Sequence, residues 1–270
     1  MFRFELETQG HTALLTLDHG KVNEMGRDQL QAFEGLIEVL SHSDVRTLIT
    51  TSRRSTRKGT PIFIGGANVT ERVGWSRDEV AAHVRWQRRT LAALRRLPLF
   101  HVVVVNGLAL GWGTEYLITG DYRIAARQAV FGLPETGLGI LPGAGGSSEL
   151  IGLIGLSNTL RLGMTGERIG ADEAERIGLV QEVVEDVDAG LVRARALGDL
   201  VARKSPTAIA AFKTAALACV GVPVQEREHI EAKAYEHCLD TGQAAIGREN
   251  FAAIRAGEDV DWGPRQLFET

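Results

Sequence analysis

The stretch "FHVVVVNG", residues 100–107, constrains the fold more than any other. Four consecutive valines are too β-branched for a short helix, and the run has no polar face. It reads as a strand buried on both sides. Such strands belong to parallel sheets, where helices or a second layer cover each face. The rest of the first ~185 residues agrees, because strand and helix patterns alternate there. "TALLTL" (12–17), "RTLIT" (46–50), "YRIA" (122–125) and "AVFG" (129–132) read as strands. "PIFIGGANV" (61–69) is a short strand broken by glycines. Residues 27–40 place Leu30, Phe33, Leu36, Ile37 and Leu40 on one helical face. Residues 77–97 form a long amphipathic helix that stops at Pro98. From about Ala189 the strand signal disappears, and helices are expected over 189–203, 206–218, 225–238 and 243–256. The chain therefore divides into an α/β core, 1–188, and a helical part, 189–270.

The net charge of −4 argues against nucleic acid or an anionic membrane as a general partner. No apolar run approaches the roughly 18 residues of a membrane span. "MFRFELETQG" starts directly into strand-like alternation without a targeting pattern, so a cytoplasmic location is expected. Two cysteines, Cys219 and Cys238, are too few for a disulfide framework or a thiolate zinc site. They read as small helix-packing residues. His229 and His237 can share a helix face but lack a third ligand, so no metal is expected. His101 reads as a satisfied core histidine. There is no G-x-G-x-x-G, P-loop, H-E-x-x-H or G-x-S-x-G pattern.

Two glycine-bearing loops follow buried strands, "FIGGANV" (63–69) and "NGLALGWGTE" (106–115). Glycines at strand ends allow unusual backbone angles and expose N–H groups. Side by side, two such loops can aim two N–H groups at one oxygen, an oxyanion hole suited to a thioester enolate. Two tight turns with no further role fit the glycine spacing equally well. The acids weigh against that plainer reading. Twenty residues separate Glu115, one turn into a helix, from Glu135, in the turn of "FGLPETGLG". That spacing fits helix, turn, strand and return to the same sheet end. Two convergent carboxylates can hold and activate a water or pass protons to carbon. A lone helical glutamate is usually solvated, but "ALGWGTEYLI" is apolar enough for burial, which raises a carboxyl pKa.

Four segments resemble the crotonase superfamily, the enoyl-CoA hydratase/isomerase family. They are "FIGGANV", "VVNGLALGWGTE", "FGLPETGLGILPGAGGSSEL" and "LGMTGERIGADEAERIGLVQEVV". The resemblance implies an α/β fold of the ClpP/crotonase-like kind, a spiral of ββα repeats. It implies C-terminal helices that build trimers, often paired into hexamers. By position, the backbone N–H groups of Ala67 and Trp112 would hold the carbonyl oxygen of an acyl-CoA thioester, the substrate. Glu115 and Glu135 match the two glutamates of the hydratases. Substrate contacts would come from Phe63, Gly65, Gly66 and Asn68 of the first segment and Gly111 and Gly113 of the second. Pro134 and Gly143 of the third would add to these, with Lys21 where the first CoA-contacting loop begins.

Three departures stand out. Trp112 replaces the family's usual glycine; its indole is either core filler or a wall of the acyl pocket. The second is favoured, because its neighbours are site residues. Asn68 replaces the usual aspartate and is read as structural. The acidic C-terminus lacks the family's CoA-gripping lysine, leaving Arg255 and Arg265 as substitutes, with the basic loop of Arg53, Arg54, Arg57 and Lys58 as compensation. A carrier-protein thioester is the variant this allows.

The expected activity is syn-type addition of water to a 2-enoyl-CoA, with no metal or redox cofactor. The alternatives are a double-bond isomerase or a specialised crotonase such as a decarboxylase. An RNA- or acyl-CoA-binding homologue without catalysis is the non-enzymatic alternative; salt-sensitive RNA binding would mark it.

Overall fold

The computed structural model describes residues 3–269, and their side chains from residue 6 onward. Two sheets face each other. The larger is ordered β1 (Arg3–Gln9), β2 (Thr12–Asp18), β3 (Thr47–Ser52), β5 (Phe100–Val105), β7 (Tyr122–Ala126) and β10 (Glu182–Val184). Only the β1–β2 pair is antiparallel. The smaller is ordered β4 (Ile62–Ile64), β6 (Leu108–Leu110), β8 (Val130–Gly132) and β9 (Arg168–Gly170). The chain alternates between them, so β3 and β4, β5 and β6, and β7 and β8 are successive turns of one spiral. The step from β5 to β6 is abrupt. A Cβ on Gly107 would lie 2.1 Å from the Pro61 carbonyl oxygen, so no other residue fits there.

The valine strand is buried on both faces, and its alternation is visible residue by residue. Val103 and Val105 point between the sheets with Leu15, Leu48, Phe63, Tyr116 and Phe131. Val102 and Val104 point outward with Leu14, Ile49 and Ile124, under Leu191 and Ala194 of helix α6 (Val187–Ala202). Gly190 and Gly198 let α6 lie close. Their Cβ positions would fall 2.6 Å from Val104 and 2.9 Å from Thr12.

Helices α1 (Arg27–Ser41) and α2 (Arg77–Arg95) match the amphipathic segments; Leu30, Phe33, Leu36 and Leu40 are buried, and Ile37 is half-buried. Ser76 and Glu79 cap α2 reciprocally. The division expected at 188/189 falls inside α6, which covers the core sheet. The helices that lie off the core begin with α7 (Pro206–Ala218), paired with α8 (Val224–Asp240). Lys213 ties α7 to the core, donating to Leu99 O at 2.9 Å and Asp121 Oδ2 at 2.7 Å. The single helix expected over 243–256 is two, α9 (Gln243–Glu249) and α10 (Phe251–Ala256). Asn250 separates them, its side chain bonded back to Ile246 O.

His101 is a satisfied core residue. It pairs through Nε2 with Thr50 Oγ1 at 2.8 Å and through Nδ1 with Thr119 O at 3.0 Å. A carbonyl only accepts, so Nδ1 carries the proton. Burial pushes the imidazole pKa down to about 3. No helix among the described residues is long and apolar enough to cross a membrane.

Candidate active site

The site lies where β4, β6 and β8 end. Past β4 the chain enters Gly65–Asn68 and pairs with the 22–25 loop. Gly65 N donates to Val22 O, Met25 N to Gly66 O and Asn68 N to Met25 O, at 2.7–2.9 Å. In an extended chain successive N–H groups point to opposite sides. Gly66 O and Asn68 N serve Met25, so Ala67 N–H points the other way.

The second glycine loop packs against this segment. A Cβ on Gly113 would sit 2.3 Å from Ile64 O, and the Cβ position of Gly66 lies 3.6 Å from Leu110 O. The short helix α3 (Trp112–Tyr116) thus starts against the end of β4, with Trp112 N–H in its unpaired first turn. Thr114 fixes α3, its hydroxyl donating to Ala109 O at 2.6 Å and accepting from Gly132 N at 3.1 Å.

Glu115 is 2 % exposed. Its Oε1 accepts from Ala144 N at 2.7 Å and Gly146 N at 2.8 Å. The "PGAGG" turn is built for this grip, since a Cβ on Gly146 would crowd Pro142 at 2.5 Å and Glu115 Oε1 at 3.1 Å. Arg88 of α2 holds the turn from outside, donating twice to Gly143 O at 3.1 and 3.2 Å. Burial pushes Glu115 up to about 7. The two N–H bonds oppose the rise, the charge of Glu135 adds to it, and Arg88 opposes it.

Glu135 stands on the 3-10 turn Pro134–Leu138 after β8; Pro134, at the first position, pre-sets its backbone angle. Its Oε1 lies 2.6 Å from where a Gly111 Cβ would be, so the carboxylate rests on the bare backbone of the second loop. Gly111 has φ 53° and ψ −118°, which only glycine adopts readily. Burial raises the Glu135 pKa too, and its Oε2 is buried without a hydrogen-bond partner among the described residues. The twenty-residue spacing therefore brings both carboxylates to one strand end, beside two glycine loops.

Other expected site residues fall elsewhere. The Trp112 indole is a core residue, 2 % exposed, and not a pocket wall. Trp112 and Tyr116 share the inward face of α3 and meet Phe33 of α1, at 6.2 and 5.8 Å between ring centroids. Replacing Trp112 with alanine is expected to cost roughly 3–5 kcal/mol of stability while leaving relative rates across C4 to C10 substrates unmoved. Denaturant unfolding and a chain-length profile check this. Phe63 is fully buried, edge-on to Tyr116, and supports the first loop from below. The Asn68 side chain is turned to capping, accepting from Thr70 Oγ1 at 2.7 Å and Glu71 N at 3.3 Å.

Arg265 does not substitute for a CoA-gripping lysine. Its guanidinium donates to the carbonyls of Leu40, Ser41, Ser43, Val45 and Pro98, so it caps α1 and anchors the C-terminal segment. In the basic loop Arg53 pairs with Asp188 and Arg54 with Asp18, while Arg57 and Lys58 are exposed. Lys21 is exposed on the 19–24 loop.

Asn23 escaped sequence reasoning, although it builds that loop. Fully buried, with φ 51°, it accepts from His19 N at 2.7 Å. It donates to Ser52 Oγ at 2.9 Å and Phe63 O at 2.8 Å. An asparagine between glycines 20 and 26 is the only signal, since asparagine tolerates left-handed backbone.

Repeated ββα turns closing two stacked sheets in this order define a protein of the crotonase fold. The chain belongs to the enoyl-CoA hydratase/isomerase family, whose model matches residues 9–258. It is 35% identical over 247 residues to a putative enoyl-CoA hydratase/isomerase, YngF, of Bacillus subtilis (strain 168), covering 91% of this chain and 93% of that one. It is 32% identical over 238 residues to a short-chain-enoyl-CoA hydratase of Clostridium acetobutylicum, covering 87% and 89%. The crystal structure of an enoyl-CoA hydratase from Bacillus anthracis superposes with a TM-score of 0.86 at 29% identity, covering 96% of this chain and 98% of that one.

Proposed function

We propose that the protein hydrates 2-enoyl-CoA thioesters to 3-hydroxyacyl-CoA. The observation that carries this reading is the pair of carboxylates at one strand end, Glu115 buried and gripped by two N–H groups and Glu135 half-buried and resting on Gly111. The thioester oxygen accepts from Ala67 and Trp112 N–H, which stabilise the enolate as charge moves onto it. Glu115 and Glu135 hold one water between them. Its oxygen bonds to C3 as one carboxylate takes the proton, the C2–C3 π pair moves into the enolate, and a carboxyl proton of the pair then passes to C2, leaving both groups as they began. Hydration is redox-neutral and the enolate charge is carried by backbone dipoles, so the chemistry requires no metal or redox cofactor. Lys21, Arg57, Lys58 and Arg255, all exposed, are the cations this reading offers to CoA phosphates. Assembly into trimers or hexamers accords with the exposed apolar side chains Leu156, Leu160 and Met164 of helix α4 (Leu150–Thr165) and Phe212 of α7.

The test is product identification with purified protein on matched 2-enoyl- and 3-enoyl-CoA esters from C4 to C10. The expected result is 3-hydroxyacyl-CoA from the 2-enoyl series. Turnover confined to 3-enoyl esters, with the double bond moved and no hydroxyl gained, would replace this reading with isomerisation.

A further inference from the structure

The turn that grips Glu115 is itself held at both ends by α2. Arg88 donates twice to Gly143 O, from Nε at 3.2 Å and from Nη2 at 3.1 Å. Two helical turns further along the same face, Arg95 pairs with Glu149. Val84, one turn before Arg88, lies 2.7 Å from the Cβ position of Gly143, so helix and turn are in direct contact. The helix is a firm base for this grip, because Leu91 and Leu94 are anchored in the core.

One peptide unit is therefore engaged by opposite charges at its two ends. Gly143 O and Ala144 N–H belong to the same planar unit, and in the trans form they point in opposite directions. The guanidinium takes the oxygen from outside, and Glu115 Oε1 takes the N–H from inside at 2.7 Å. Hydrogen bonds in such a chain polarise one another, so the pull on the carbonyl makes the N–H a better donor to the carboxylate. Two hydrogen bonds and one peptide place the guanidinium nitrogens at most roughly 8 Å from Oε1.

Little else competes for the Arg88 charge. Arg95 is neutralised by Glu149, whereas no carboxylate among the described residues lies within ion-pair distance of Arg88. The other charged groups nearby are Glu135, on the turn after β8, and Arg96 and Glu269, which with Arg88 line a cleft of about 730 Å³ on the outer side of the turn. Arg88 is exposed to that cleft, so water screens its action through space. Burial raises the Glu115 carboxyl most and Glu135 raises it further, while the two N–H bonds and Arg88 draw it back to about 7. A group that titrates near the working pH can both take and return a proton.

Resting on the hydratase reading above, we propose that Arg88 is a positioning residue for the reaction: it clamps the 143–144 peptide and so keeps Glu115 in place and ready to exchange a proton at neutral pH. The experiment is urea unfolding from about pH 5 to about pH 9 for wild type, Arg88→Met and Arg88→Lys, each paired with its Glu115→Gln derivative. Glu115 titrates higher in the folded than in the unfolded state, so the stability gap within a pair widens as pH rises and levels off at the folded pKa. In the wild-type pair it should level near 7. In the Arg88→Met pair levelling is expected at least ~0.5 pH unit higher, the size a screened charge at this distance supplies. Arg88→Lys, which keeps the charge and can donate, should fall between the two. In Arg88→Met, kcat for a 2-enoyl-CoA at neutral pH should drop ~10-fold with KM within about two-fold, because a poorly placed group costs turnover more than binding. If Arg88→Met does not fold, Arg88→Gln takes its place, with the same direction of shift expected. Levelling at the wild-type pH in the uncharged variant overturns the proposal even if melting temperature or rate falls, since a packing role alone would produce those losses. An unchanged kcat in that variant overturns it too. Unfolding is read without substrate, so the clamp can fail while hydration stands, and a wild type that does not hydrate leaves the unfolding comparison to decide the clamp.

Discussion

Glu115→Gln is expected to lower kcat/KM for a 2-enoyl-CoA at least ~100-fold, the low end for a positioned acid or base, while making the protein more stable above pH 7. Both effects come from one environment. The glutamine oxygen can still accept from Ala144 and Gly146, so the turn keeps its shape, but the variant can neither take nor give a proton. The carboxyl titrates at about 7 in the folded protein against an ordinary 4.5. The folded state therefore binds more protons than the unfolded state between those values. Stability falls as pH rises through that window and reaches its floor above about 7. Glutamine removes the penalty, which is at most on the order of 3 kcal/mol for this shift. Unfolding curves for wild type and variant should converge near pH 4 and separate by pH 8. Glu135→Gln should lose activity to a similar extent. Loss confined to the Glu135 variant would indicate a single-carboxylate proton shuttle instead.

Gly111→Ala should be nearly as damaging to catalysis for a different reason. Its backbone, φ 53° and ψ −118°, is strained for any residue with a Cβ, at roughly 1–3 kcal/mol. The new methyl would land 2.6 Å from Glu135 Oε1. A carboxylate at the end of a flexible side chain can swing away, so the fold survives and the catalytic geometry does not. We expect kcat/KM to drop ~100-fold, the contribution of one displaced acid or base, with a melting temperature only a few degrees lower. Near-wild-type turnover would show that Glu135 works from a position away from Gly111.

Much of this was legible in the chain because it depends on local pattern. Val102 to Val105 announce a two-sided strand, and the return from Glu115 to Glu135 needs only the lengths of a helix, a turn and a strand. What escaped depends on partners far away in sequence. Trp112 looked like a pocket wall because its neighbours in sequence are site residues. Its side-chain direction is set by Phe33, on a helix that sequence reasoning cannot place against α3. Arg265 looked like a free cation, yet its partners are carbonyls at the end of α1 and beyond. The boundary at Ala189 followed the loss of strand signal, but α6 belongs to the core through its glycine face. Asn23, buried with positive φ, gave no pattern beyond its residue type.

The proposed hydration adds water to carbon under the control of both carboxylates. Its most direct test is turnover of crotonyl-CoA in oxygen-18 water by wild type, Glu115→Gln and Glu135→Gln, followed by mass analysis of the thioesters. Wild type is expected to yield 3-hydroxybutyryl-CoA carrying one solvent oxygen, and either variant almost none. Recovery of unhydrated thioester from the wild type, or equal labelling by all three proteins, would contradict it.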